Sequence, residues 1–360
     1  MISLRSSALR CILVLGFVAA CGDNSTPPID KPDASVPLKC DTVGETLCGD
    51  TCVSTATDPQ HCGGCDTACA TGDICEGAVC VAVCRIGGQV VSDGVVNTAN
   101  ACEQCVPALS STTWTQRADG TSCNAGQVCS AGACSPQCFI DGTFYAAGAP
   151  NPANACETCA PATSTSTWSP RASVPLLVGG TDITAQGWTT VTQAPNTLTY
   201  GTDHVRLETS TNTGARTSGQ LLITRANAFD ATKPVKLRVT MQVELANTHN
   251  SLDSGAAILG SFTPPFGNST DRSQMIYLDN AAIGWADDTQ SAAFPVTDGA
   301  YHVYELALDA AKVATVSIDG VAKLTRNNFT ATGTIAIGDQ TNDPNVDGAV
   351  RIKSVERLCP

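Results

Sequence analysis

Apolar and polar side chains alternate through the second half of the chain, and the first half lacks that rhythm. The alternation is clearest in HVRLET (204–209), VKLRVTMQVEL (235–245), YHVYELAL (301–308), ATVSID (314–319) and GAVRIKSV (348–355). Period two is the signature of a half-buried strand. Asp319-Gly320 stands between two such runs, which predicts a tight hairpin. No stretch carries a convincing helical period. About 185 residues follow Val174, enough for a real core. A dozen or so short strands with polar turns predict an antiparallel β-sandwich over 174–360.

A different pattern opens the chain. After Arg5 and Arg10 comes an apolar run from Cys11 to Ala20. It is shorter than the ~20 residues a membrane-spanning helix needs, and it fits the apolar region of a signal peptide over 1–20. The run ends in Val18-Ala19-Ala20-Cys21, which resembles the lipobox of bacterial lipoproteins. That resemblance implies cleavage before Cys21 and a lipid on its sulfur. The expected location is the cell envelope, membrane-anchored, at the outer membrane or cell surface. Residues 22–39 contain four prolines and no aromatics. With Cys21 they read as an extended tether over 21–39.

Composition narrows the partners. Net charge is −13, and removing residues 1–20 takes it to about −15. Nucleic acid and anionic lipid both call for basic patches, so neither is an expected charge-driven partner.

The chain has twenty cysteines. Setting aside Cys11 and Cys21 leaves Cys40, Cys48, Cys52, Cys62, Cys65, Cys69, Cys75, Cys80, Cys84, Cys102, Cys105, Cys123, Cys129, Cys134, Cys138, Cys156, Cys159 and Cys359. Export with dense, even cysteines predicts a disulfide framework. Cys62-x2-Cys65 beside His61 has zinc-ligand spacing, but zinc needs thiolates that an oxidising envelope works against. Residues 40–83 form an eight-cysteine module. Its text CGDTCVSTATDPQHCGGCDTAC resembles a cysteine-rich repeat of myxobacterial-type surface proteins.

Residues 84–118 and 138–172 are an ungapped repeat offset by 54. Cys84, Gly88, Gly94, Asn97, Asn100, Cys102, Glu103, Cys105, Pro107, Trp114 and Arg117 all recur. One structural unit is therefore used twice, over 84–137 and, truncated, over 138–173. Each Trp is expected to form the small core of its unit. The spacing of Cys69, Cys75, Cys80 and Cys84 recurs in Cys123, Cys129, Cys134 and Cys138, with Gly72 and Gly126 placed for positive-φ turns. The second repeat lacks this ending, because Leu177 stands where a counterpart of Cys123 is due. Cys359 is then expected to close the set in the role of Cys123, with both ends of the sandwich side by side.

The order of motifs in the last domain resembles the laminin G-like and concanavalin A-like jelly rolls. The motifs are Gly299-Ala300-Tyr301-His302-Val303-Tyr304-Glu305-Leu306, Val316-Ser317-Ile318-Asp319-Gly320, Gly333-Thr334-Ile335-Ala336-Ile337-Gly338 and Gly348-Ala349-Val350-Arg351-Ile352. The resemblance implies neighbouring first and last strands. It implies no particular chemistry.

Catalytic signatures are missing from the text. Retaining glycosidases need two close carboxylates, but Glu208, Glu244, Glu305 and Glu356 have no acid two residues away. No Gly-x-Ser-x-Gly elbow occurs. Gly187-Trp188 is similar to the opening of some keto-sugar enzymes, too little to assign catalysis. Two segments are candidate binding sites. Asp339, Asn342, Asp343 and Asp347 offer oxygens of the kind calcium takes, against the alternative of a solvated turn. Tyr277, Asn280, Trp285, Asp287 and Asp288 pair aromatic faces with polar groups, as sugar sites do, against the alternative of a core Trp beside a polar loop. The expected function is recognition of polysaccharide or a surface protein by a tethered head. A glycan-acting hydrolase or lyase and a structural envelope protein are the alternatives.

Overall fold

The computed structural model describes residues 39–211 and 216–360. The signal segment, Cys21 and all of the tether but Lys39 lie outside the described residues. Among the described residues, no helix is long and apolar enough to cross a membrane. They form two compact units, one of residues up to 93 with 106–113, the other of 94–105 with 114–360.

The first unit is built of short hairpins and disulfides. Cys40–Cys52, Cys48–Cys65, Cys62–Cys75 and Cys69–Cys80 staple the eight-cysteine module. Cys62 and Cys65 are therefore oxidised to separate partners and offer zinc no thiolate. His61 instead faces Asp58, with Nδ1 3.0 Å from its Oδ2. The hairpin of Val83–Ile86 and Gln89–Ser92 closes this unit.

The second unit repeats that hairpin as Gln137–Ile140 and Thr143–Ala146, shifted by the sequence offset of 54. The residues shared by the repeats hold one turn in place. Asn97 donates Nδ2 to Glu103 Oε2 at 2.7 Å, and Asn151 donates to Glu157 at 2.6 Å. The guanidiniums of Arg117 and Arg171 donate to the carbonyls of Ala101 and Ala155. Trp168 packs on Tyr145 beside the buried Cys138–Cys159 bridge. The recurrent cysteine spacing also has one pairing: Cys69–Cys80 and Cys123–Cys134 each span 11 residues, while Cys75 and Cys129 reach back to Cys62 and Cys102. Gly72 and Gly126 both have positive φ.

Among the described residues, fifteen strands make the sandwich. They are β1 (Ser173–Val178), β2 (Thr189–Gln193), β3 (Thr197–Tyr200), β4 (Val205–Glu208), β5 (Gln220–Arg225), β6 (Val235–Ala246), β7 (Ala257–Leu259), β8 (Ile276–Leu278), β9 (Ala282–Trp285), β10 (Ser291–Ala293), β11 (His302–Leu308), β12 (Ala314–Ile318), β13 (Val321–Arg326), β14 (Ile335–Asp339) and β15 (Gly348–Leu358). One sheet has the order β3-β4-β15-β6-β11-β12-β13, with β1 also on β15. The other runs β2-β5-β14-β7-β8-β9-β10. All the pairings are antiparallel.

Alternation decides which residues enter the core. In β6, Leu237, Val239, Met241 and Val243 are buried while Lys236, Arg238 and Gln242 are not. The facing sheet contributes Leu221, Ile223, Ile258, Ile276, Ile335 and Ile337. Each fully buried side chain of this kind is worth roughly 1.5–3 kcal/mol. Gly338 ends the run Ile335-Ala336-Ile337 because no side chain fits there: φ is +127°, and a Cβ would lie 2.3 Å from the Leu221 carbonyl oxygen. The opposite face of that sheet, with Leu222, Ala257, Leu259, Tyr277 and Ala336, is not open either. Phe262 and Met275 pack against it. Between them lies a short helix, α1 (Ser269–Ser273), capped by Asn268 and Asp271.

The first and last strands, β1 and β15, are paired, with Ser173 opposite Leu358. Beyond them Cys359 is bonded to Cys156, Cα to Cα 5.5 Å. The role it takes differs from the expected one. Cys156 corresponds to Cys102, whose partner is Cys129, so Cys359 stands in for Cys129 and not for Cys123. Cys123 makes only the local bridge to Cys134, a hairpin the truncated repeat lacks.

Candidate functional site

At one end of the sandwich, three loops meet around an open cleft of about 630 Å³. The first loop follows β6 and carries Asn247, Thr248 and Asn250; the second contributes Asn280; the third, after β14, contributes Asn345. Arg216 and Glu244 add one charge of each sign. Asn250, Asn280, Asn345 and Arg216 are exposed. Amides offer both donors and acceptors, as a ligand rich in hydroxyls requires.

Turn chemistry shapes the third loop. Asp339 Oδ1 accepts from the Thr341 amide at 3.0 Å, and the Asp343 amide donates to Thr341 Oγ1 at 3.0 Å. Asp343 Oδ1 accepts from the Asn345 amide at 2.9 Å, bending the chain around Pro344. Asn250 Nδ2 then donates to Asp343 Oδ2 at 2.7 Å, and Arg216 to Asn345 Oδ1 at 2.9 Å. Asn247 and Asp347 exchange two hydrogen bonds, locking the first loop to the third. These hydrogen bonds brace the cleft wall, and a braced wall lowers the entropy cost of binding.

These contacts decide the calcium expectation. Asp347 is fully buried and accepts from the Thr217 amide and hydroxyl. Asp339 is buried against the Thr209 hydroxyl. Asp343 faces Asn250, and Asn342 reaches Gln193 at 3.4 Å. The three aspartates spend their oxygens on different protein donors, and Asn342 turns its Nδ2 to Gln193, so the four residues do not form a convergent set. Among the described residues, the clusters tight enough for an ion consist of disulfide cysteines with one glutamate, Glu45. The donor set of Asp339, Asn342, Asp343 and Asp347 therefore does not fit calcium.

Burial drives the Asp339 carboxyl well above the usual carboxylate range, against the Thr209 and Thr341 hydrogen bonds that favour its ionised form. Burial raises Asp347 also, while hydrogen bonds from Asn345 and Asn250 lower Asp343. A carboxyl whose folded pKa is raised contributes stability at acid pH, lost as pH rises through that folded value. Asp339→Asn should then stabilise the head at pH 7 by on the order of 1–3 kcal/mol, because it removes a charge that burial disfavours and keeps an oxygen for the Thr341 amide. Thermal unfolding of both proteins at pH 4 and pH 7 checks this; the gain should shrink at pH 4.

The aromatic candidates are buried. Trp285 is 1% exposed, its indole N–H donating to the Thr325 carbonyl at 3.2 Å. Tyr277 is 3% exposed and covered by His249, with ring centroids 3.6 Å apart. Neither ring offers a face to a ligand, and this corrects the sugar-platform expectation for both. Asp287 is paired with Arg326 at 2.7 Å. Burial raises the Asp287 pKa, but Arg326 and Thr289 outweigh it and hold the carboxyl low. Asp288 lies 2.8 Å from His249 Nε2, and Asp279 lies 3.2 Å from Nδ1. His249 thereby clips the turn carrying Asn280 to the first loop. Of the five candidates, only Asn280 lines the cleft. Asn247, Asn250 and Arg216 escaped the sequence reading, although Ala246-Asn-Thr-His-Asn250 at the end of a long strand was a legible polar cluster, while Asn345 lay within the loop read for calcium and His249 among histidines read as dispersed.

The glutamates are occupied by cations. Arg206 pairs with Glu208 at 2.6 Å and Glu244 at 2.5 Å, and Arg351 also reaches Glu244. Glu305 lies 2.7 Å from both Lys236 and Arg238, and Glu356 4.0 Å from Arg238. Trp188 of the Gly187-Trp188 pair is core, donating to the Leu176 carbonyl at 2.7 Å. His302 stands between Asp319 and Asp298, at 2.7 and 3.1 Å. Burial lowers its pKa, and the two carboxylates more than reverse that.

No known family description matches the chain, and no curated protein does. Solved structures similar to it include a carbohydrate esterase of Shiga toxin-encoding bacteriophage phi24B, at 15% identity and TM-score 0.35, covering 52% of this chain and 98% of that one. The carbohydrate recognition domain of Emp46p matches at 14% identity and TM-score 0.34, covering 51% and 95%. The cellulose-induced protein Cip1 matches at 11% identity and TM-score 0.35, covering 50% and 96%. At these values the sandwich assignment rests on the strand pairing alone.

Proposed function

We propose that this chain is an exported lipoprotein, anchored through Cys21, whose sandwich head binds polysaccharide at the cell surface. The observation that carries the reading is the open cleft walled by Asn247, Asn250, Asn280 and Asn345. Its volume suits a small ligand, and its lining suits hydroxyls better than apolar groups. Recognition is favoured over hydrolysis because all four glutamates of the head face arginine or lysine. The outer face of the second sheet is covered by Phe262 and Met275, so it offers no open trough.

The test uses the full chain carrying Cys21→Ser, exported so that its disulfides form, and titrated with a broad polysaccharide panel. At least one polysaccharide should bind, equally well with calcium and with chelator. Asn250→Ala with Asn345→Ala should weaken that binding tenfold or more while the head stays folded, at a cost of about 1–2 kcal/mol for the loop hydrogen bonds lost. Breakdown of a polysaccharide would establish the hydrolase or lyase reading. Binding to nothing in the panel would end the carbohydrate reading and favour a protein partner or a structural role.

A further inference from the structure

Among the described residues, the aromatic side chains more than a third exposed are Tyr200 and Phe266. The Tyr200 hydroxyl is held by Asp182 and the Ile183 amide. Phe266 projects from a braced turn into a second open cleft, of about 470 Å³. The Gly267 amide donates to the Thr263 carbonyl at 2.8 Å, closing the turn around the ring. Asn268 then caps α1 and donates to Thr263 Oγ1 at 3.2 Å. Buried Asp271 ties the same segment to Ser261 at 3.1 Å. An exposed phenylalanine on a loop held this firmly is preorganised for contact, at a cost of unburied apolar area.

The walls around the ring are polar and electrically balanced. Arg272 is paired with Asp253. Gln220 donates to the Gln340 carbonyl at 2.7 Å. Gln193 and Asn342 touch through one long hydrogen bond, which leaves Gln193 Nε2 and Asn342 Oδ1 for a ligand. Thr341 and Asn342 line this cleft, while Asn345 and Val346 line the amide cleft, so a single loop walls both.

We infer that Phe266 is the stacking platform of a second subsite, and that its ligand is a neutral oligosaccharide. The inference rests on the polysaccharide reading above and deepens it. An aromatic face takes the C–H face of a pyranose ring, and flanking amides take its hydroxyls. Each cleft holds one cation and one anion, and the whole chain carries −13, so a polyanionic glycan gains nothing there.

The experiment is calorimetric titration of the full chain carrying Cys21→Ser with the hexasaccharides of cellulose, xylan, β-1,3-glucan, mannan and chitin. Polygalacturonate and hyaluronate hexamers serve as anionic probes. A neutral hexamer should bind, Phe266→Ala should weaken it about tenfold or more, and Phe266→Trp should restore it. Thermal unfolding of both variants should match the parent. Undiminished binding by Phe266→Ala would overturn the subsite while leaving the polysaccharide reading intact. Binding of the anionic probes alone would overturn the neutral class. Binding of no probe would overturn the subsite and weaken the reading on which it rests.

Discussion

Removing the Cys156–Cys359 bridge, as Cys156→Ser with Cys359→Ser, should destabilise the head more than any other disulfide change in its unit. The bond closes 203 residues, against 11 to 27 for the other bridges there. In the chain-entropy account, stabilisation grows with the logarithm of loop length, which places this bond near the top of the usual ~2–5 kcal/mol range. At roughly 2–4 °C per kcal/mol for a domain of this size, Tm should fall by about 10 °C. The bond sits where β1 and β15 already run together, with the Cys359 amide donating to the Ala172 carbonyl at 2.8 Å. Cutting it frees the end of a strand that pairs with β1, β4 and β6. Melting of the double variant under non-reducing conditions checks this, and a Tm within 2 °C of the parent would refute it.

Trp285→Ala should cost about 3–5 kcal/mol, the range for a large aromatic removed from a core. The ring is buried between the sheets with Phe329 at 6.2 Å, and Arg326 lies 5.6 Å from its centroid. Its loss would open a cavity, orphan the Thr325 carbonyl and release Arg326 from one side. A platform residue would behave otherwise, losing affinity and keeping stability. Denaturant unfolding of Trp285→Ala beside Phe266→Ala separates the two roles: the first should unfold early, the second should not.

That contrast marks how far the sequence could be read. Half-buried strands announce themselves: β12 alternates throughout, and β6 does so from Leu237 to Val243, before the bulge at Val243/Leu245. Strands covered on both faces do not. Ile335–Asp339 is buried throughout, and Ile283, Gly284 and Trp285 are all buried, so alternation cannot say which side an aromatic takes. Phe266 follows two prolines in a segment with no period, and only the fold shows that Phe262 turns inward and Phe266 outward. The acidic loop was equally ambiguous. Asp and Asn build turns with the same oxygens that would bind a metal, and hydrogen-bond partners distant in sequence, Thr209, Thr217 and Asn250, decide between the two. Eighteen cysteines admit too many connectivities to choose from spacing alone. The 54-residue repeat made the equivalences visible and left open which cysteine Cys359 replaces.

If the head recognises glycan through the amide cleft, as proposed, the side chains that wall it must respond to the ligand. The most direct measurement follows the Asn and Gln side-chain NH₂ signals of the ¹⁵N-labelled full chain carrying Cys21→Ser as each neutral hexasaccharide is added. With the bound hexamer, the signals of Asn247, Asn250, Asn280 and Asn345 should move together and saturate at a common concentration. Binding that leaves all four unmoved, or no movement with any hexamer, would contradict the claim.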